Sequence, residues 1–119
     1  MACGYCVEDK IAATYDHAVV TSALAKHHHV AFFHVEGSLP PGTPGRRLLE
    51  RAAAGTLGID AGTVRVSDDN LTISFAFDPR RAPLVGVQAR LEKRLAASSV
   101  SLLPLRTMER PADLKSVSR

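Results

Sequence analysis

The run His29-Val30-Ala31-Phe32-Phe33-His34-Val35 is apolar at nearly every position. Successive side chains of a strand point to opposite faces, so this strand is stable only where both of its faces are covered. A sheet open to water on one side cannot hold it. The rest of the chain must therefore supply a layer above this strand and another below it.

Downstream segments supply one of those layers. Glu36 to Gly42 is a loop punctuated by Gly37, Pro40, Pro41 and Gly42. Thr43-Pro44 reads as an N-cap followed by proline at the first helical position, with Leu48, Leu49 and Ala52 on the apolar face of a helix running to about Leu57-Gly58. Thr63 to Ser67 reads as a short strand with Val64 and Val66 on one face. After the turn Asp68-Asp69-Asn70, the residues Leu71, Ile73, Phe75 and Phe77 alternate with Thr72, Ser74 and Ala76, which is a hairpin pattern. Asp78-Pro79 ends that strand. Pro83 opens a helix carrying Leu84, Val87, Leu91 and Leu95 at helical spacing. Val100 to Leu105 is a last strand, with Pro104 placing it at a sheet edge.

The opposite layer falls to the N-terminal segment. Val7, Ile11, Tyr15, Ala18 and Ser22 recur every three or four residues, widened by Ala12, Val19 and Ala23. This spacing predicts one helix from about Tyr5 to Lys26, acidic in its first turn and basic in its last. The expected architecture is α+β: a ferredoxin-like βαββαβ sandwich whose open face is covered by an added N-terminal helix. It forms a single domain over residues 1–106, with a polar tail over 107–119. The length, 119 residues, suits one domain with its own core.

Charge and hydropathy remove several function classes. The net charge is +3, and the basic residues Arg46/Arg47, Arg80/Arg81 and Arg90/Lys93/Arg94 look scattered rather than gathered in a stripe, so no nucleic-acid partner is expected. No apolar run approaches the roughly 18 residues of a membrane span. No charged-then-apolar leader stands before a small-residue cleavage site, which fits a cytoplasmic chain, or a periplasmic one whose leader was removed ahead of Met1. There is no nucleophile triad signature, no phosphate-cradling glycine loop and no HExxH. A non-enzymatic protein is the expectation.

The chemistry-bearing feature is Cys3-Gly4-Tyr5-Cys6. Two cysteines three apart at a helix start put both sulfurs on one side, and the helix N-terminus favours the thiolate. Thiolates bind soft metals: two of them suit Cu(I), or part of a Zn(II) site. Thiolates are also nucleophiles, so thiol–disulfide exchange is the alternative. Cys-Gly-Tyr-Cys resembles the active-site motif of thioredoxin-like isomerases, but that fold needs a strand directly before the motif, and only Met1 and Ala2 precede it. A third reading is a structural disulfide in a domain that works by surface interaction.

The stretch Leu71-Thr72-Ile73-Ser74-Phe75-Ala76-Phe77-Asp78-Pro79, followed by an amphipathic helix, resembles the third strand of heavy-metal-associated domains. These are ferredoxin-like copper chaperones and ATPase modules that bind soft metals through a CxxC. The resemblance covers residues 29–106 in topology and implies metal handling, with transfer to a protein partner. In that family the CxxC lies in the loop after the first strand, whereas the corresponding loop here, Glu36 to Thr43, holds no cysteine. The ligand positions therefore do not carry over. A helix about 30 Å long leading by a short turn into the first strand would, however, run antiparallel to it. Its start then lies at the end where that strand finishes. The expected metal ligands are Cys3 and Cys6, with His34 as a third.

Other candidates have simpler readings. His27-His28-His29 cannot face one way and reads as a solvated helix end, and His17 as an exposed or hydrogen-bonded helix residue. Met108 reads as gap-filling core. Glu8 and Asp9 point about 100° apart on a helix and answer to its dipole.

Overall fold

The structure, a computed structural model, describes residues 7–110. In chain order the elements are α1 (Val7–Thr14), α2 (His17–Ala25), β1 (His29–Glu36), α3 (Thr43–Ala54), β2 (Arg65–Val66), β3 (Thr72–Phe77), α4 (Leu84–Arg94), a 3₁₀ turn (Ala96–Ser98) and β4 (Ser101–Met108). The strands form one sheet in the order β2-β3-β1-β4, with every neighbouring pair antiparallel. Thus β1 and β2, joined through α3, run parallel with β3 between them. In the same way β3 and β4, joined through α4, flank β1.

Each face of the sheet carries its own core. Ala31, Phe33 and Val35 of β1 and Ile73, Phe75 and Phe77 of β3 meet Leu49 of α3 and Val87 and Leu91 of α4. Phe33 and Phe75 stack with their ring centroids 5.8 Å apart. On the other face Val30, Phe32, Ala76 and Met108 meet Ile11 of α1 and Val20, Ala23 and Leu24 of α2. The unbroken apolar run of β1 is thereby explained: odd positions enter one core and even positions the other.

In β3 all six residues are buried. Thr72, Ser74 and Ala76, the polar half of the alternation, do not face water; they are small residues on the face packed by α1 and α2. The Ser74 hydroxyl donates to the Thr14 carbonyl across 3.5 Å. The edge strand β2 shrinks to two residues, yet Val64 and Val66 both pack on the first core as their spacing requires.

The N-terminal segment differs from the expected single helix. It breaks at Tyr15-Asp16, where Asp16 leaves the helical backbone (φ −127°, ψ 108°) and accepts a hydrogen bond from the Val19 N–H at 3.2 Å. Its other oxygen accepts from Arg65 Nε at 3.0 Å. An aspartate at a break caps the next helix and offers the backbone an alternative to continuous winding. The break re-phases α2: Val20, Ala23 and Leu24 are buried, while Ala18 and Ser22 of the expected stripe are exposed.

Three smaller differences follow. The N-cap of α3 is Gly42 in the left-handed region (φ 71°), and Thr43 lies inside the helix. The Gly42 carbonyl instead accepts from Asn70 Nδ2 at 2.9 Å, which ties the helix start to the hairpin turn. Strand β4 lies at the sheet edge as Pro104 implied. It runs on to Met108, whose side chain is fully buried, and the pairing skips Leu105 as a bulge opposite Phe32 and Phe33.

Candidate functional site

Cys3 and Cys6 lie outside the described residues, and His34 lies within them. His34 shares the β1 face of Val30 and Phe32, so its ring emerges on the side covered by α1. There the Lys10 ammonium donates to Nδ1 at 3.4 Å. In that tautomer Nε2 carries the proton and faces the Glu36 carboxylate at 3.7 Å. The imidazole is half-buried and Glu36 is exposed. The Lys10–His34 contact fixes the course of α1: its first turns lie over the last residues of β1.

The second histidine site is at the opposite end of the sheet, and it corrects the reading of His27 to His29 as a solvated helix end. His27 turns the chain from α2 into β1 in the left-handed conformation (φ 64°) and is exposed. His29 lies edge-on to Phe77, with ring centroids 5.7 Å apart. His28 points inward between two carboxylates. Its Nδ1 is 2.6 Å from Asp60 Oδ2, and its Nε2 is 3.6 Å from Asp78 Oδ2. Burial acts to raise the Asp78 pKa, but the Arg80 backbone N–H and guanidinium outweigh it and hold the carboxyl below its ordinary range. Asp60 is set in place by its own N–H, which donates to the Ala76 carbonyl at 2.8 Å.

These three side chains border a cavity of about 280 Å³ that Arg81 and Arg90 also line. Among the described residues no hydroxyl or thiol lines it. The contacts of His28 with Asp60 and Asp78 tie together the start of β1, the loop before β2 and the end of β3. Among the described residues, no group of three or more His, Cys, Asp or Glu side chains is placed to hold a metal ion.

His17 and Met108 keep their simpler roles. His17 Nδ1 is 2.9 Å from the Tyr15 hydroxyl on the exterior, and Met108 fills the second core.

The cations are less scattered than the sequence suggests. Arg47, Arg51 and Arg94, separated by up to 47 positions, line a single open groove of about 960 Å³ over α3. No signal in the linear sequence joins Arg94 to the other two; only the packing of α4 beside α3 does.

No helix among the described residues is long and apolar enough to cross a membrane. Neither a family model, nor a curated protein, nor a solved structure matches the chain.

Proposed function

We propose that this protein binds a soft metal ion, Cu(I) or Zn(II), through the thiolates of Cys3 and Cys6 with His34 as third ligand, and passes it to a partner protein. We further read the fold as a ferredoxin-like βαββαβ sandwich with an added N-terminal helical cover. The sheet order β2-β3-β1-β4 and the crossings through α3 and α4 support that reading.

The observation that carries the functional reading is the contact of Lys10 with His34. Val7, the residue bonded to Cys6, begins the helix that packs over the end of β1 where His34 emerges. His34 itself fits the role. Among the described residues its Nε2 faces an exposed carboxylate at 3.7 Å, and ligation there needs the ring proton to pass from Nε2 to Nδ1, with the Lys10 contact to Nδ1 given up. Two thiolates and an imidazole form a soft-to-borderline donor set, which favours Cu(I) or Zn(II) over hard cations.

The test is anaerobic titration of the reduced protein with Cu(I) and Zn(II) against a competing chelator. Stoichiometric uptake that Cys3→Ser or Cys6→Ser abolishes, and that His34→Ala weakens by about tenfold, is the expected result. No uptake by the reduced wild-type protein refutes the reading. Trapping of mixed disulfides through Cys3 in the Cys6→Ser variant would then assign the pair to thiol–disulfide exchange.

A further inference from the structure

The helices α3 and α4 together carry six cations, Arg46, Arg47, Arg51, Arg90, Lys93 and Arg94, against two carboxylates, Glu50 and Glu92. Glu92 is already committed, accepting the Leu102 N–H at 2.8 Å. Among the other arginines, Arg46 pairs with Asp68, Arg65 with Asp16 and Arg80 with Asp78, while Arg90 reaches the Leu57 carbonyl. The side chains of Arg47, Arg51 and Arg94 have no ion pair or hydrogen bond among the described residues, and these are the three that line the groove over α3.

Their placement opposes the local electrostatics. Arg47 and Arg51 stand one turn apart on the same face of α3, about 6 Å along its axis, where like charges repel. Arg47 also lies in the first half of a helix with no acidic residue in its first turn, the end that the helix dipole makes positive. Arg94 is built into place. Gly55 at the end of α3 has an ordinary backbone conformation (φ −91°) that any residue adopts. A Cβ there would nevertheless come within 2.3 Å of Arg94 Nη2. The missing side chain is the space in which the guanidinium lies across the helix end. Between the three cations the groove floor is apolar: Pro44, Leu48 and Ala52.

We propose that this groove docks an acidic segment of a partner protein, whose carboxylates meet Arg47, Arg51 and Arg94 and whose aliphatic side chains rest on Leu48 and Ala52. Guanidinium forks match carboxylates in bidentate geometry and lose little hydration on pairing. A single-stranded nucleic acid is the poorer fit, because among the described residues no aromatic ring lines the groove on which bases could stack. The docking uses neither cysteine nor histidine, so it stands apart from the metal reading.

The experiment is fluorescence anisotropy of the full chain with a labelled peptide of alternating glutamate and leucine across a salt series. A lysine–leucine peptide and a single-stranded DNA oligonucleotide of matched length serve as comparisons. The acidic peptide is expected to bind, with affinity falling as salt rises, and the lysine peptide not to bind. Arg51→Gln and Arg94→Gln each weaken binding by about fivefold, while Arg80→Gln leaves it unchanged. Gly55→Ala matches Arg94→Gln in binding with its unfolding midpoint nearly kept, because the clash is with the far end of a flexible side chain. Cys3→Ser retains full peptide binding, so failure of the metal reading does not touch this one. Absence of peptide binding, binding indifferent to Arg51→Gln, Arg94→Gln and Gly55→Ala alike, or tighter binding of the oligonucleotide lost in the same variants would overturn the proposal.

Discussion

Ile11 is the residue on which the N-terminal cover of the sheet depends. It is fully buried against the face formed by Val30, Phe32, Ala76 and Met108. Its helix α1 is eight residues long, too short to persist in water by itself, so packing is what holds it. Ile11→Ala removes three buried carbons, worth about 2.4 kcal/mol at roughly 0.8 kcal/mol each. The cavity left behind brings the cost to about 3 kcal/mol, within the usual span for such truncations. For a domain of this size that is a fall in Tm of roughly 10 °C. The assay is urea and thermal unfolding followed by circular dichroism, with amide exchange across residues 7–14 to distinguish undocking of α1 from global destabilisation. Ala13→Ser, on the exposed side of the same helix, serves as the comparison and should change Tm little. If Ile11→Ala shifts Tm no more than Ala13→Ser and leaves exchange in α1 unchanged, α1 does not cover the sheet. The placement of the N-terminal segment beside His34 would fall with it.

Two further outcomes follow from the packing and the charges. Gly45→Ala places a Cβ within 2.0 Å of the Pro40 carbonyl oxygen and 2.6 Å of Asn70 Nδ2; because the first is backbone, the β1–α3 loop must shift, costing about 3 kcal/mol, and an unchanged urea midpoint would show that α3 does not approach the loop so closely. Three carboxylates have depressed pKa values: Asp16 through the Val19 N–H and then Arg65, Asp69 through the Ser67 hydroxyl, and Asp78 through Arg80 against its own burial. Their folded pKa values lie below the unfolded ones, so the stability they confer is complete above the ordinary carboxylate pKa of about 4 and is lost as pH falls through the folded values. Thermal midpoints measured from neutral pH downward should hold and then drop in acid, and Asp16→Asn should lower the neutral midpoint while flattening part of the drop; an identical pH profile in the variant would rule out Asp16 as a contributor.

The strands were legible because their signal is local and strong. The run 29–35 demanded two covered faces and has them, and the alternation at 71–77 gave a strand after a turn. What misled the N-terminal segment was a stripe that looked continuous through Tyr15 and Asp16. At the break Asp16 caps α2 through the Val19 N–H and also meets Arg65, 49 positions away, a partner that no window of periodicity contains. In β3 the small residues Thr72 and Ser74 lie beneath the helical cover, as a helix over the open face requires.

By itself the sequence determined the strands near 29–35 and 71–77 and the helices that follow them, that the strand at 29–35 is covered on both sides, that Pro104 belongs at an edge, and that a CxxC precedes Val7 in the chain. These follow from side-chain period and backbone restriction, which act within a few residues. Only the tertiary structure decided what His28 touches, which way His34 faces, and that Arg94 joins Arg47 and Arg51 over one apolar floor. Those are pairings between side chains 32, 24 and 47 positions apart. They arise from how the helices pack on the sheet, a geometry set by the summed burial of both cores rather than by any local stretch of chain.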